Sequence, residues 1–256
     1  MKFSVCTDAV FASMPTALAM QKVKSAGIDS VEFWNWKNKD IDAIDEARRA
    51  LDMQIAAFCT AHCVLVDDAA HDLFVQGLRE TIPVAKRLDC RMLITTVGDE
   101  DPAVARQVQH ANIVRGLRRA APILAENGIT LVVEPLNTAA DHRGYYLASS
   151  DEADEIIREV DSPFVKVLFD FYHQQVTEGH LIARSLAMLP RIGHVHCAGN
   201  PGRHELDNGE VNYSWIFEAL EKAGYDGYLG LEYFPIRDPE DGLREVLAAV
   251  QCKKPL

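Results

Sequence analysis

Along this 256-residue chain, a short apolar run gives way to a longer amphipathic stretch about eight times over, and few folds answer to that alternation. The runs are Lys2–Cys6, Val31–Trp34, Gln54–Phe58, Arg91–Thr95, Thr130–Glu134, Val165–Asp170, Gly193–Cys197 and Tyr228–Tyr233. Short segments rich in Val, Ile, Leu and Phe between turn residues read as strands buried on both faces. The stretches between them carry helix ends. Asp101-Pro102 reads as the capped start of a long helix and Asn127-Gly128 as its close, Gly224 ends a helix begun near Tyr213, Ser150-Asp151-Glu152 puts acids in a first turn, and Asp238-Pro239 opens the last helix. No low-complexity linker divides the chain. Eight β-then-α units predict an α/β fold, a (β/α)8 barrel in one domain over residues 1–256. The rival is an open doubly wound sheet, but no G-x-G-x-x-G follows the first run and no G-x-x-x-x-G-K-[ST] occurs.

Charge narrows the partners. With 26 Lys and Arg against 38 Asp and Glu, the net charge is −12, and a surface that acidic repels phosphate backbones and anionic lipid. Nucleic acid and membrane are therefore not expected, and a small-molecule substrate is. The start, Met1-Lys2-Phe3-Ser4-Val5-Cys6, lacks the basic-then-apolar pattern of a secretion signal, and no apolar run approaches the roughly 18 residues of a transmembrane helix. Cys6, Cys59, Cys63, Cys90, Cys197 and Cys252 form no paired CxxC spacing, so the expectation is reduced thiols in a cytoplasmic protein.

The chemistry collects at the ends of the last four runs: Val132-Val133-Glu134, Leu168-Phe169-Asp170, His194-Val195-His196 and Gly230-Leu231-Glu232. Side chains alternate faces along a strand. If Leu131, Val133, Val167, Phe169, Leu229 and Leu231 face the helices, Glu134, Asp170, His196 and Glu232 face the lumen, at the carboxyl end where barrel enzymes carry their sites. A lone acid at a strand end is usually a helix cap and a lone histidine such as His194 usually a core residue, but four polar residues of one parity on four successive strands are harder to dismiss. Three carboxylates in one small space repel and resist burial unless a positive charge sits among them. One divalent ion meets that need, and three carboxylates with one imidazole suit Mn2+ or Mg2+, with Co2+ and Zn2+ as alternatives. Glu32 shares the lumen parity and is expected to pair with Lys166 in a lower layer. His62, just past the third run, is placed to touch substrate at the barrel mouth, and Trp34 and Trp36 to wall it.

At Glu134-Pro135-Leu136-Asn137, Asp170-Phe171-Tyr172-His173, Gly193-His194-Val195-His196, Pro201-Gly202-Arg203-His204-Glu205, Asn208-Gly209-Glu210-Val211-Asn212-Tyr213 and Gly230-Leu231-Glu232-Tyr233 the chain resembles hydroxypyruvate isomerase-like proteins. They belong to a wider xylose isomerase-like barrel superfamily that includes the ketose 3-epimerases. The resemblance covers nearly the whole chain and is strongest from Leu131 onward. It implies that Glu134, Asp170, His196 and Glu232 bind one metal, that Glu134 and Glu232 are the acid/base pair, and that His173 and Arg203 grip substrate oxygens. Related barrels are often dimers or tetramers, so a homo-oligomer is compatible with it. One departure bears on substrate. Hydroxypyruvate isomerases tend to carry glutamine where this chain has His196, and histidine is usual there in the 3-epimerases. The epimerases' extra acid soon after the strand-five glutamate has no match at Ala139-Ala140, although Asp141 is close.

The expected function is thus proton transfer on a small hydroxy-keto acid or sugar, in the manner of aldose-ketose isomerases, through a cis-enediolate. A ketose 3-epimerase is the alternative. A barrel endonuclease would need a richer His and carboxylate set and a basic face. A catalytically idle sugar-binding protein would have no need of both glutamates.

Overall fold

Strands covered on both sides need apolar residues on both faces, and the computed structural model, which describes residues 1–251, shows how the two faces are used. Eight parallel strands pair in chain order and close on themselves: β1 (Lys2–Cys6), β2 (Ser30–Phe33), β3 (Gln54–Cys59), β4 (Met92–Thr95), β5 (Thr130–Val133), β6 (Val165–Asp170), β7 (Ile192–Cys197) and β8 (Tyr228–Leu231), with β8 returning to β1. Phe33, Leu131, Val133, Val167, Phe169, Leu229 and Leu231 join one large core with helix residues such as Ile113, Leu117 and Leu124. Ala57, Ile94, Val132 and Leu168 form a second, separate cluster that plugs the lumen. Truncating a fully buried ring such as Phe169 to alanine costs roughly 3–5 kcal/mol. The packed lumen leaves the chemistry to its rim.

Every expected strand is present, β1 and β6 to the residue and the others with one or both ends shifted by one or two. Glu134 and Glu232 fall one residue past their strands but stay in the ladder, the Glu134 N–H donating to Thr95 O at 3.1 Å and the Glu232 N–H to Cys197 O at 3.2 Å. Gly128 closes the helix Arg106–Asn127 in the left-handed region, at φ 63°. That helix does not start at Asp101-Pro102. Asp101 Oδ1 instead accepts the Ala103 N–H at 2.8 Å, and the Gln109 side chain bonds both the N–H and the C=O of Asp101 at 2.9 Å. The segment is thereby held as a closed turn, and the helix begins four residues after Pro102. Ser149 caps the helix Ser150–Val160, and Asp238 Oδ1 accepts from Glu240 and Asp241 at the start of the last helix. The five described cysteines are free, and Cys252 lies outside the described residues. Among the described residues no helix is long and apolar enough to cross a membrane.

Candidate metal and substrate site

Strand register gathers the site. Between Val167 and Leu168 the β6–β7 pairing slips, so β7 gains Gly193 as an extra residue and Leu168 pairs with His194, Asp170 with His196. The slip brings both histidines into phase with the inward residues of β6. His196 in turn aligns with Gly230 of β8, two residues before Glu232. Glu134, Asp170, His196 and Glu232 are all buried, and each offers one ligand atom within 4.8 Å of the others. His196 Nδ1 lies 3.3 Å from Glu134 Oε1 and 3.3 Å from Glu232 Oε2.

These residues fit a divalent cation by a criterion independent of parity. Glu134 Oε1, Asp170 Oδ2 and His196 Nδ1 are buried side-chain atoms with no hydrogen-bond partner. Buried polar atoms are seldom left so. That several orphans face one another is what a site for an ion looks like, and the donor set of carboxylate oxygens and one imidazole suits Mn2+ or Mg2+. Asp170 divides its two oxygens. Oδ1 caps the helix Phe171–Thr177, accepting the N–H of Tyr172 at 2.7 Å and of His173 at 3.2 Å, while Oδ2 faces the cluster. The cap and the candidate ligand are one side chain.

Arg203 supplies a positive charge from the loop after β7. Its Nη2 bonds Glu232 Oε2 and lies 3.6 Å from Asp170 Oδ2, and the guanidinium sits over Tyr172 at 5.4 Å and Phe234 at 5.7 Å. Arg203 itself adopts φ 57°, a backbone conformation that costs a non-glycine residue of order 1–3 kcal/mol and recurs at functional sites. The loop is pinned to the one after β8: the Phe234 N–H donates to Arg203 O at 2.7 Å, and Glu205 Oε1 accepts from the N–H groups of Ile236 and Arg237.

The charges push the carboxylates apart. Burial raises Asp170 above the ordinary carboxyl range despite Arg203 and His196 beside it. At Glu232 burial is outweighed by Arg203 and His196, and the carboxylate is held well below its usual range. Burial alone lowers an imidazole, but Glu232 and Glu32 overcome it at His196 and hold that ring well above its usual value. The Trp34 indole N–H, at the half-exposed mouth, donates to Glu232 Oε1 at 2.5 Å.

His173 is placed to donate. Asn137 Oδ1 accepts the N–H groups of Ala140 and Asp141, so its Nδ2 carries the hydrogens, which go to Asp141 Oδ2 and His173 Nδ1, each at 2.7 Å. Nδ1 is then an acceptor and the ring hydrogen belongs on Nε2, which is buried without a hydrogen-bond partner, 3.6 Å from Asp170 Oδ2. Burial, with Arg203 nearby, lowers His173 to about 3, keeping it neutral.

Two expectations change. Glu32 does not pair with Lys166. Its Oε2 accepts from Ser4 Oγ at 3.2 Å and lies 2.7 Å from His194 Nε2, which makes His194 a buried core histidine bonded through Nε2, its Nδ1 having no partner. Lys166 reaches Pro190 O at 3.5 Å, in an open cleft of about 400 Å3 at the amino end of the barrel, away from the carboxylates. Trp36 turns from the mouth to bond Thr81 Oγ1 at 3.1 Å, leaving Trp34 as the wall. His62 is exposed in a left-handed conformation, at φ 61°, its ring against Gly77. Asn137, Tyr172 and the Trp34 bond were not anticipated. Asn137 stands in a motif already singled out, but an amide's role depends on which groups its two ends meet.

A closed eight-stranded parallel barrel with an acidic, histidine-bearing rim is the class these observations define. Residues 20–251 match the model of the xylose isomerase-like TIM barrel family, and the chain belongs to that family. It is 30% identical over 253 residues to 2-oxo-tetronate isomerase of Pectobacterium atrosepticum, covering 94% of this chain and 95% of the relative. It is 28% identical over 256 residues to hydroxypyruvate isomerase of Escherichia coli, covering 95% and 97%. A crystal structure described as an AP endonuclease, family 2, from Brucella melitensis superposes with a TM-score of 0.91 at 29% identity, over 96% of this chain and 98% of that one.

Proposed function

We propose that this chain is a metal-dependent isomerase of a short α-hydroxy-keto acid or sugar, hydroxypyruvate and 2-oxo-tetronate being the nearest models. The observation that carries the reading is the convergence of Glu134, Asp170, His196 and Glu232, three of them (Glu134, Asp170 and His196) with partnerless ligand atoms turned toward the cluster. These four would hold one Mn2+ or Mg2+, with Co2+ or Zn2+ as substitutes. Such an ion, when bound, supplies Lewis-acid stabilisation of charge developing on the substrate carbonyl.

The chain's own residues do the rest. Glu134 and Glu232 reach the rim from β5 and β8, so they approach a small substrate from different sides. One removes the carbon-bound proton, leaving a cis-enediolate, and the other returns a proton at the neighbouring carbon. Glu232, kept ionised by Arg203 and His196, is in the protonation state that a base requires. His173 donates from Nε2 to a substrate oxygen. Arg203 offers a fork of donors to a carboxylate or a row of hydroxyls. His62, exposed on the loop after β3, is assigned to the outer end of the substrate.

His196 favours a second reading, the ketose 3-epimerase, because glutamine is the usual residue there in hydroxypyruvate isomerases. The endonuclease reading fits poorly with a net charge of −12 and with one four-ligand cluster among the described residues. The test is incubation with Mn2+ in deuterated water against a panel of oxo-acids and ketoses. Deuterium entering at the carbon next to the carbonyl, with conversion of at least one substrate, is expected. Binding without exchange across the panel overturns the assignment.

A further inference from the structure

One buried acid that the mechanism leaves unused lies directly under the candidate metal site. Glu32 is 1% exposed, beneath the rim, and its surroundings are built rather than incidental. Oε2 is occupied by Ser4 and His194, whereas Oε1 has no hydrogen-bond partner and lies 3.3 Å from His196 Nε2, which has none either. On the other side of the same ring, Nδ1 faces Glu134 and Glu232. The imidazole is therefore sandwiched between Glu32 below and the candidate ligand carboxylates above. The His194 ring stands edge-on to it, with centroids 5.0 Å apart and planes at 81°. Gly230 keeps the space open: a Cβ there would come within 2.3 Å of Glu32 Oε1 and 2.6 Å of His196 Cδ2. That is a place where close approach requires glycine.

We propose that Glu32 is a positioning residue that keeps the ring hydrogen of His196 on Nε2 and so presents Nδ1 as the metal ligand. This rests on the metal reading given above. A cation that binds the imidazole displaces the hydrogen from one ring nitrogen and leaves one on the other; an acceptor-only carboxylate facing Nε2 settles which nitrogen keeps it. The Ser4 and His194 bonds hold that carboxylate in turn. Glu32, His194 and His196 also lie within ligand reach of one another, with Glu32 Oε2 and His194 Nε2 bonded to each other at 2.7 Å.

The test is Mn2+ affinity by titration calorimetry on the metal-stripped parent and on Glu32→Gln. Glutamine has the same shape but can turn N–H groups toward Nε2, which moves the ring hydrogen to the wrong side. The expected result is an affinity lower by about 10–100-fold with an unchanged circular dichroism spectrum. Affinity within about twofold of the parent overturns the proposal. A second measurement needs no variant. In the Zn2+-loaded parent, long-range 1H–15N spectra should show His196 Nδ1 ligated and an exchange-protected, downfield Nε2–H of the kind bonded to a carboxylate. Ligation through Nε2, or an Nε2–H without that bond, overturns it. A parent that binds neither Mn2+ nor Zn2+ is a separate outcome, which removes the metal reading and this inference with it.

Discussion

Arg203 is buried to 9% exposure among acids, and replacing it by methionine, which keeps much of the stem and loses the guanidinium, tests how the site holds its charge. In metal-stripped protein the change removes the bonds to Glu232 and Asp170 and leaves those carboxylates with less to balance them. Breaking a buried pair from one side costs roughly 3–5 kcal/mol. In a chain of this length each kcal/mol moves the melting temperature by about 2–4 °C, so Arg203→Met should melt roughly 6–20 °C lower. Mn2+ at one hundred times its Kd adds about 2.7 kcal/mol to either protein if affinities are equal. They should not be equal, because the ion meets less positive charge in the variant and takes over the lost neutralisation. The gap in melting temperature should therefore narrow with Mn2+, read by differential scanning calorimetry with and without chelator. A metal-stripped variant melting within about 2 °C of the parent, or a gap indifferent to Mn2+, refutes the account.

Glu134→Gln and Glu232→Gln should each lower kcat by about 10²–10⁴-fold while leaving the circular dichroism spectrum unchanged; full deuterium exchange in both would dismiss the acid/base pair. Dialysis against a chelator should abolish turnover and Mn2+ restore it, with retained activity in stripped protein, verified by elemental analysis, as the contrary result. Burial raises the Glu32 carboxyl, but His194 and His196 overcome that and hold it at about 2. A lowered folded-state value gives stability that is full above the ordinary carboxyl range and is lost as pH falls toward about 2. The shift amounts to about 3 kcal/mol. Denaturant titrations from pH 5 to 2.5 should show that slope in the parent and a shallower one in Glu32→Gln, and equal slopes would contradict it.

The barrel was legible in the chain because each strand must be apolar on two faces, a demand that runs rich in Val, Leu and Phe meet and loops do not. The four rim residues were legible for a related reason: parity along a strand is fixed, and Phe169 facing outward forces Asp170 inward. Depth in the lumen was not legible. Whether Glu32 meets Lys166 or His194 depends on the level at which each strand sits, and the slips at Val31/Glu32 and Val167/Leu168 reset those levels without an unmistakable local signature. The start of the helix Arg106–Asn127 was misplaced because Asp-Pro serves a turn as well as a cap, and the Gln109 side chain that decides between them lies a full turn or more downstream. Asn137 and the Trp34 bond to Glu232 escaped because they depend on partners brought near only by the closed fold.

That one carboxyl serves Asp170 as both helix cap and rim group has a mechanical consequence. The helix Phe171–Thr177 begins on the oxygen paired with the one that faces the cluster, and His173 lies on its first turn. A pull on Asp170 Oδ2 is therefore delivered to the backbone carrying the imidazole of His173. Whatever tightens the rim also turns the side chain proposed to hold the substrate, and the two adjustments share one lever.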